Sequence, residues 1–382
     1  MTYLDNAATT PLSSAVRAAM RDVMDNTYGN PSSLHSLGIN AERVIKNADK
    51  IVRAILGVTD GDILWTSGGT ESNNTAVLGA ARASVGRGKR VVTSAAEHPS
   101  VAEAFTQLAA EGFEVVVLPV GADGKVSANA LAAAVDAQTT LVSVMHVNNE
   151  TGAVQDIEAL AQAAKAVNDG LLFHCDAVQS FCKHSLAPAL WGVDLLSASA
   201  HKIHGPKGAG ILYAKHPARL KPLFFGGGQQ KGIRPGTENV IGIAGFAAAA
   251  REASADMAVN MARVTELHAR LLQIPTEIDG VQLNSYENGS PHIVNLSVDG
   301  IRAEVLLHAL EAEGFYVSTG SACSSKQKHS QALVNHGYSV QRAESAIRIS
   351  LSAWNTMDEA EAFCAALAKQ VRFLRRYGGV RK

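Results

Sequence analysis

The sequence predicts an α/β protein whose central sheet is largely parallel. Between residues 62 and 198, short apolar runs that indicate strands alternate with longer segments that indicate helices. Repeated strand and helix units of this length form parallel sheets with helices on both faces. Polar clusters follow several of the strands, and ligands bind such sheets beyond the carboxyl ends of the strands. We therefore expect a ligand site along that edge.

The elements follow in order from local patterns. Helices are predicted at 13–26 and 37–56, and the second has apolar residues at helical spacing from Ala41 to Ile55. A glycine-rich turn at 67–74 opens a third helix that runs to about 85. Strands are predicted at 62–66, 90–94, 114–120, 140–146, 171–175 and 194–198. The other helices between these strands are predicted at 100–111, 127–135 and 157–167.

The rest of the chain predicts a second, smaller domain. An Ala-rich helical region at 240–272 has the length to connect two domains, and we expect Pro275 to end it. The small α+β domain is predicted from a strand at 293–298 and helices at 303–313 and 358–376. We assign residues 15–255 to the large domain, and residues 1–14 with 256–382 to the small one.

The amino-acid composition limits the kinds of molecule that the protein is expected to bind. The 382 residues are 47% hydrophobic and 18% charged, with a formal net charge of −1, which favours small molecules or proteins over nucleic acid. No apolar run reaches membrane-spanning length, and the first residues lack the pattern of a signal peptide. These features predict a cytoplasmic protein without a membrane partner.

The four cysteines predict thiol chemistry rather than cross-linking. No zinc-type C-x-x-C pair is present, so neither a disulfide framework nor a structural metal is indicated. We interpret Cys175, Cys182 and Cys364 as packing residues. Cys323 differs because it stands among Gly and Ser residues, where little apolar area is buried and the loop should open at low cost.

Two cationic residues are candidates for chemistry. Lys202 ends the run Ser199-x-His-Lys202 after a predicted buried strand, where its amine can form a Schiff base with an aldehyde such as pyridoxal phosphate (PLP). By itself the run is more typical of a polar strand end. Arg348 lies in the middle of an apolar strand, where an unpaired guanidinium would be costly, so it needs a partner or a substrate carboxylate.

Ten motifs occur in order along nearly the whole chain. They are Tyr3-Leu-Asp-Asn-Ala-Ala-Thr-Thr-Pro11, Gly29-Asn-Pro-Ser-Ser33, Thr66-Ser-Gly-Gly-Thr-Glu-Ser-Asn73, Glu97-His98, Asn148-Asn-Glu-Thr-Gly152, Asp176-x-x-Gln179, Ser199-x-His-Lys202, Arg234-Pro-Gly-Thr-Glu-Asn239, Gly320-Ser-Ala-Cys323 and Arg348. Taken together, these motifs resemble the NifS/IscS-like cysteine desulfurases of the class V, fold-type I PLP enzymes.

The resemblance implies a role for each residue at the cofactor. Lys202 would bind PLP covalently and move the Cα proton, and His98 would stack on the ring. Asp176 would pair with the ring nitrogen, while Gln179 and Asn149 would contact the ring hydroxyl. The residues implied at the phosphate are Gly69, Thr70, Ser199 and His201, with Thr237 of the partner subunit.

It also implies the substrate and the partners. Arg348, with Asn149 and Asn30, would hold the carboxylate of L-cysteine, and the Cys323 thiolate would attack the substrate sulfur, leaving alanine and a persulfide. A homodimer is implied, with a sulfur acceptor that is an iron-sulfur scaffold or a tRNA-thiolation enzyme. Gln230, Lys231 and Cys182 depart from the usual pattern of the group. A selenocysteine lyase and a scaffold without chemistry are the alternative interpretations.

Overall fold

The computed structural model describes residues 1–320 and 330–377. The strands are β1 (Thr2–Tyr3), β2 (Asp62–Thr66), β3 (Arg90–Ser94), β4 (Glu114–Leu118), β5 (Thr139–Met145), β6 (Leu172–Asp176), β7 (Leu195–Ser199), β8 (Gly210–Ala214), β9 (Val281–Leu283), β10 (Ile293–Val298), β11 (Phe315–Tyr316), β12 (Ser318–Thr319) and β13 (Ala346–Ser350). The helices are α1 (Ser14–Asn26), α2 (Ser36–Leu56), α3 (Gly69–Ala83), α4 (Pro99–Ala110), α5 (Ala128–Ala134), α6 (Ile157–Val167), α7 (Pro188–Trp191), α8 (Val240–Ala255), α9 (Met257–Leu271), α10 (Ile274–Glu277), α11 (Ala303–Ala312), α12 (Gln331–Asn335), α13 (Val340–Glu344) and α14 (Met357–Tyr377).

Seven strands form the central sheet, in the order β2-β8-β7-β6-β5-β3-β4. The run from β7 to β4 is parallel throughout, and β8 is antiparallel to both of its neighbours. The predicted α/β class with a largely parallel sheet is therefore confirmed. We did not predict β8, whose five residues follow a turn with Gly and Pro and are flanked by short 3-10 helices only, so no long helix marks a strand and helix unit.

Alternation along each strand builds a core on both faces of this sheet. Phe173 packs in one hydrophobic cluster with α2, α6 and α8, whereas its neighbour Leu172 packs in another with α3 and α4. Successive side chains of a strand point to opposite faces, so one apolar run supplies both cores. Helices covering both faces leave the edge at the carboxyl ends of the strands for a ligand.

A second sheet, in the order β12-β13-β10-β9, belongs to a separate cluster. This cluster joins Leu4 to apolar residues between Val264 and Val371. Asp5 forms a parallel bridge with Ser350 of β13, so the N-terminal segment lies beside this sheet. The separate cores support the two-domain division, which stays a prediction.

Two helix predictions need correction. The helical region 240–272 is two helices, because α8 ends at Ala255 and α9 begins at Met257. Pro275 lies in the first turn of α10 and does not end a helix there, since a proline is tolerated where an N–H has no intrahelical partner. Within the described ranges, no helix is long and apolar enough to cross a membrane.

The three positions that depart from the family pattern share one backbone property. Cys182, Gln230 and Lys231 have φ values of 57°, 48° and 62°. Left-handed backbone favours glycine, and a side chain there costs conformational energy. Gln230 offsets part of this cost because its Oε1 accepts a hydrogen bond from the backbone N–H of Trp65 at 3.0 Å.

Candidate active site

One cavity of about 340 Å³ lies at the carboxyl ends of β5, β6 and β7 and beside the N-terminus of α3. Its lining includes residues from several separate motifs, as the polar strand ends predicted. The predicted site residues that line it are Gly69, Thr70, His98, Asn149, Asp176, Gln179, Ser199, His201, Lys202 and Arg348.

Three predicted residues are not placed in this cavity. Thr237 lines a different pocket, together with Trp65, Gln230 and Arg234. Asn30 is exposed, and its Oδ1 accepts a hydrogen bond from the N–H of Ser32 at 2.9 Å. Cys323 lies outside the described residues. The roles suggested for all three stay predictions.

Lys202 follows β7 in a short helical turn, Ala200–Lys202. The structure thus confirms that a buried strand delivers this lysine to a turn. Its Nζ donates to the carbonyl oxygens of Ala7 at 2.7 Å and Ala8 at 2.8 Å. These two backbone contacts hold the amine at the cavity wall.

Asp176 is the last residue of β6 and is 4% exposed. Its Oδ1 accepts from the N–H of Val178 at 2.9 Å, and its Oδ2 accepts from Nδ2 of Asn73 at 2.7 Å. These two hydrogen bonds fix the orientation of the buried carboxylate. Asn73 is a residue that sequence reasoning missed, although the motif at the start of α3 contains it.

His98 caps the N-terminus of α4, and the N–H of Ser100 donates to its Nδ1 at 3.1 Å. Burial lowers the pKa of His98, and the positive charge of Lys202 lowers it further while Asp176 opposes the shift. The ring is therefore neutral near pH 7. Because Nδ1 accepts a hydrogen bond, the ring proton lies on Nε2.

The turn before α3 suits an anion. A Cβ at Gly69 would lie 2.7 Å from Cγ2 of Val178, and one at Gly210 would lie 2.5 Å from the Cα of Gly68, so glycine is needed at both positions. The buried hydroxyl of Ser199 has no hydrogen-bond partner among the described residues. An unsatisfied hydroxyl beside the N-terminus of a 15-residue helix fits a phosphate group.

His201 is a further polar group of this cavity. Burial lowers its pKa to about 4, with a contribution from the charge of Lys202. Its Nδ1 lies 3.3 Å from the hydroxyl of Thr9. The neutral ring can donate one hydrogen bond to an oxyanion without adding a full charge.

Arg348 lies in the middle of β13 and is 6% exposed. Its Nη2 donates to Oδ1 of Asp5 at 2.8 Å, and its Nη1 donates to the carbonyl oxygen of Asn149 at 2.9 Å. The expectation that a buried guanidinium has a partner is confirmed. Asp5 is a second residue that the sequence reasoning missed, because its contact with Arg348 joins positions 343 residues apart.

Glu150 lies beside both ends of the segment 321–329, near Gly320 and Ser330. It lines the cavity with Gly320, and the hydroxyl of Ser330 donates to its carboxylate. Burial raises the pKa of Glu150, while the Ser330 hydrogen bond and the charge of Arg348 oppose the shift. The described chain thus reaches the cavity wall at Gly320, three positions before Cys323.

Comparison with known proteins decides the family. The model of the aminotransferase class-V family matches residues 2–363. The chain belongs to this family. A cysteine desulfurase IscS of Serratia proteamaculans is 40% identical over 380 residues, which cover 98% of the chain and 93% of the relative. This similarity places the chain in the NifS/IscS-like group.

Two solved structures agree. A NifS-like protein superposes with a TM-score of 0.92 at 35% identity, covering 98% of this chain and 100% of that one. The structure of SspA in complex with cysteine superposes with a TM-score of 0.82 at 31% identity, covering 93% of this chain and 100% of that one. The fold-type I architecture inferred from the motifs is confirmed.

Proposed function

We propose that the chain is a PLP-dependent L-cysteine desulfurase that converts L-cysteine to L-alanine and leaves the sulfur as a persulfide on Cys323. The observation that carries this proposal is the presence in one cavity of Lys202, the buried carboxylate of Asp176 and the buried guanidinium of Arg348. The membership of the NifS/IscS-like group and the cysteine held by the SspA structure support the reaction and the substrate.

The residues present fit the cofactor. When bound, PLP supplies a ring that withdraws electrons from the Cα of an amino acid. Asp176 would hold the proton of the ring nitrogen, and the phosphate would accept hydrogen bonds at the turn before α3 and from the Ser199 hydroxyl. Gln179 already donates from Nε2 to the carbonyl oxygen of Ala7 at 2.9 Å, so one proton of this amide remains for the ring hydroxyl.

The other residues handle the substrate. Arg348, with Asn149 and Asn30, would bind the carboxylate of L-cysteine, and Lys202 would take the Cα proton. The Cys323 thiolate would attack the substrate sulfur; the bond from sulfur to Cβ breaks, and Cβ keeps the electron pair and is then protonated. Three residues of extended chain span about 10 Å, so Cys323 can reach the cavity from Gly320.

We propose a homodimer in which Thr237 of the partner subunit completes the phosphate site. This role is supported by the position of Thr237 in its own chain, where it lines a pocket separate from the main cavity. The sulfur acceptor would be an iron-sulfur scaffold or a tRNA-thiolation enzyme. Capture of proteins by the persulfide form, followed by mass spectrometry, distinguishes these acceptors.

The test is turnover of L-cysteine by the PLP-loaded protein with a thiol reductant. We expect alanine and sulfide in equal amounts, a persulfide on Cys323, and almost no product from Cys323→Ser. Cys364→Ser is the matched control and should retain activity, because Cys364 is buried in α14. Turnover of L-selenocysteine, but not of L-cysteine, that persists in Cys323→Ala would support the selenocysteine lyase instead.

A further inference from the structure

The Arg348 guanidinium is held in place from two sides. Asp5 accepts from Nη2 and the carbonyl of Asn149 accepts from Nη1, at 2.8 Å and 2.9 Å. These contacts use two of the five N–H donors of the guanidinium, and the buried Nε has no hydrogen-bond partner among the described residues. Two fixed contacts define the plane of the guanidinium and leave an unsatisfied donor for a ligand.

Asp5 itself belongs to a rigid segment. Its carbonyl accepts from the N–H of Ala8 at 3.1 Å and from the Tyr3 hydroxyl at 3.0 Å. The residues on both sides of Asp5 form backbone hydrogen bonds with Ser350 of β13. The N–H of Ser350 donates to the carbonyl oxygen of Leu4 at 2.7 Å, and the N–H of Asn6 donates to the carbonyl oxygen of Ser350 at 3.3 Å. Asp5 is therefore fixed relative to the strand that carries Arg348.

The same segment also accepts hydrogen bonds from Lys202. The carbonyls of Ala7 and Ala8, two and three positions after Asp5, accept from Nζ of Lys202. The segment thus sets the distance between the guanidinium and the amine. A substrate whose carboxylate and amino group must meet both of them depends on this spacing.

We propose that Asp5 is a positioning residue for L-cysteine, and this proposal rests on the proposed function. Asp5 aligns Arg348 so that its guanidinium meets the substrate carboxylate. Its charge partly neutralises the buried guanidinium, and its single hydrogen bond leaves other N–H donors of Arg348 for a ligand. A carboxylate needs the planar guanidinium in a defined orientation for paired hydrogen bonds. Without Asp5, the side chain of Arg348 has more orientations, and binding must order it.

The test compares Asp5→Ala and Asp5→Asn with wild type, all loaded with PLP. We expect Asp5→Ala to raise the KM for L-cysteine and the Kd for L-alanine by about tenfold, with kcat changed less than about threefold. Asp5→Asn keeps an oxygen acceptor at the same place, so its effects should be smaller. Asp22→Asn removes an exposed carboxylate of α1 and is the matched control with unchanged constants.

Two results overturn the proposal. If both Asp5 variants keep the wild-type KM and Kd while their melting temperatures fall, Asp5 only neutralises a buried charge. If their KM decreases, Asp5 competes with the substrate carboxylate. Turnover by the wild type tests the proposed function, whereas the ratio of L-alanine affinities tests Asp5, so the two can fail separately.

Discussion

A buried aspartate lies at each end of the parallel strands of the central sheet, and the two carboxylates differ in their surroundings. Asp194 precedes β7 at the amino edge, where its Oδ2 accepts from the N–H of Phe173 at 2.8 Å and pairs with Lys165 at 2.8 Å. Asp176 ends β6 at the carboxyl edge. There, Oδ1 of Asn73 and the hydroxyl of Ser199 are buried without partners in the described part of the chain.

This difference separates a structural site from a functional one. Polar groups buried for stability are paired within the chain, because an unsatisfied group costs about 1–3 kcal/mol. Groups at the carboxyl edge retain hydrogen-bonding capacity that a ligand can use. The protein thus gives up some stability at the edge where it binds PLP in our proposal.

The largest expected effect is the loss of turnover in Lys202→Ala. This change removes both the amine that binds the cofactor and the base for the Cα proton, so alanine release should fall by at least about a thousandfold. The absorbance of the lysine-linked cofactor should disappear as well. A variant that keeps more than a tenth of wild-type alanine release would show that another group does this chemistry.

The two aspartates give a matched pair of variants. Asp176→Asn should bind PLP but release alanine about a hundredfold more slowly, because it removes a charge placed for the reaction. Asp194→Asn should keep its activity and lower the free energy of unfolding by about 1–3 kcal/mol. Alanine release and denaturant unfolding measure the two effects, and equal losses of activity in both variants would contradict the comparison.

Arg348→Lys should have a smaller effect on the reaction. A lysine keeps the positive charge but cannot form paired hydrogen bonds with a carboxylate, so the KM for L-cysteine should rise by about tenfold. Steady-state kinetics check this expectation. An unchanged KM would assign Arg348 to a structural ion pair with Asp5, like the pair of Asp194 with Lys165.

The smallest expected effect concerns His174, which lies in β6 between the two edges. It is fully buried between the hydroxyls of Ser143 and Ser197, and burial lowers its pKa to about 3. In the unfolded chain this histidine has its ordinary pKa of 6.5, so below that pH the unfolded state binds a proton that the folded state does not. The stability that His174 contributes is therefore lost as the pH falls below 6.5.

Denaturant unfolding at two pH values tests this expectation. Between about pH 6.5 and 5.5, wild type should lose about 1 kcal/mol more than His174→Gln, whose amide does not titrate. Other buried histidines contribute equally to both proteins, so the difference isolates His174. The same loss in both proteins would mean that His174 does not titrate in this way.

The positions of site residues could be predicted from the sequence where those residues directly follow an apolar strand. Asp176 and Lys202 each follow an apolar strand, and this pattern predicted that they would meet at one edge of the sheet. The contact of Asp5 with Arg348 was not predictable in this way, because it joins positions 343 residues apart and depends on how the N-terminal segment packs beside β13. The position of Asn73 similarly depends on how α3 packs against β6.

The most direct test of the carboxyl edge as the reaction centre is reduction of the PLP-loaded protein with borohydride, followed by peptide mapping. We expect a cofactor adduct on Lys202. Lys183 is the informative competitor, since it lies near Lys202 and burial lowers its pKa to about 7, which makes it a possible nucleophile. An adduct on Lys183, or on the exposed Lys207 five positions after Lys202, would show that Lys202 is not the residue that binds the cofactor.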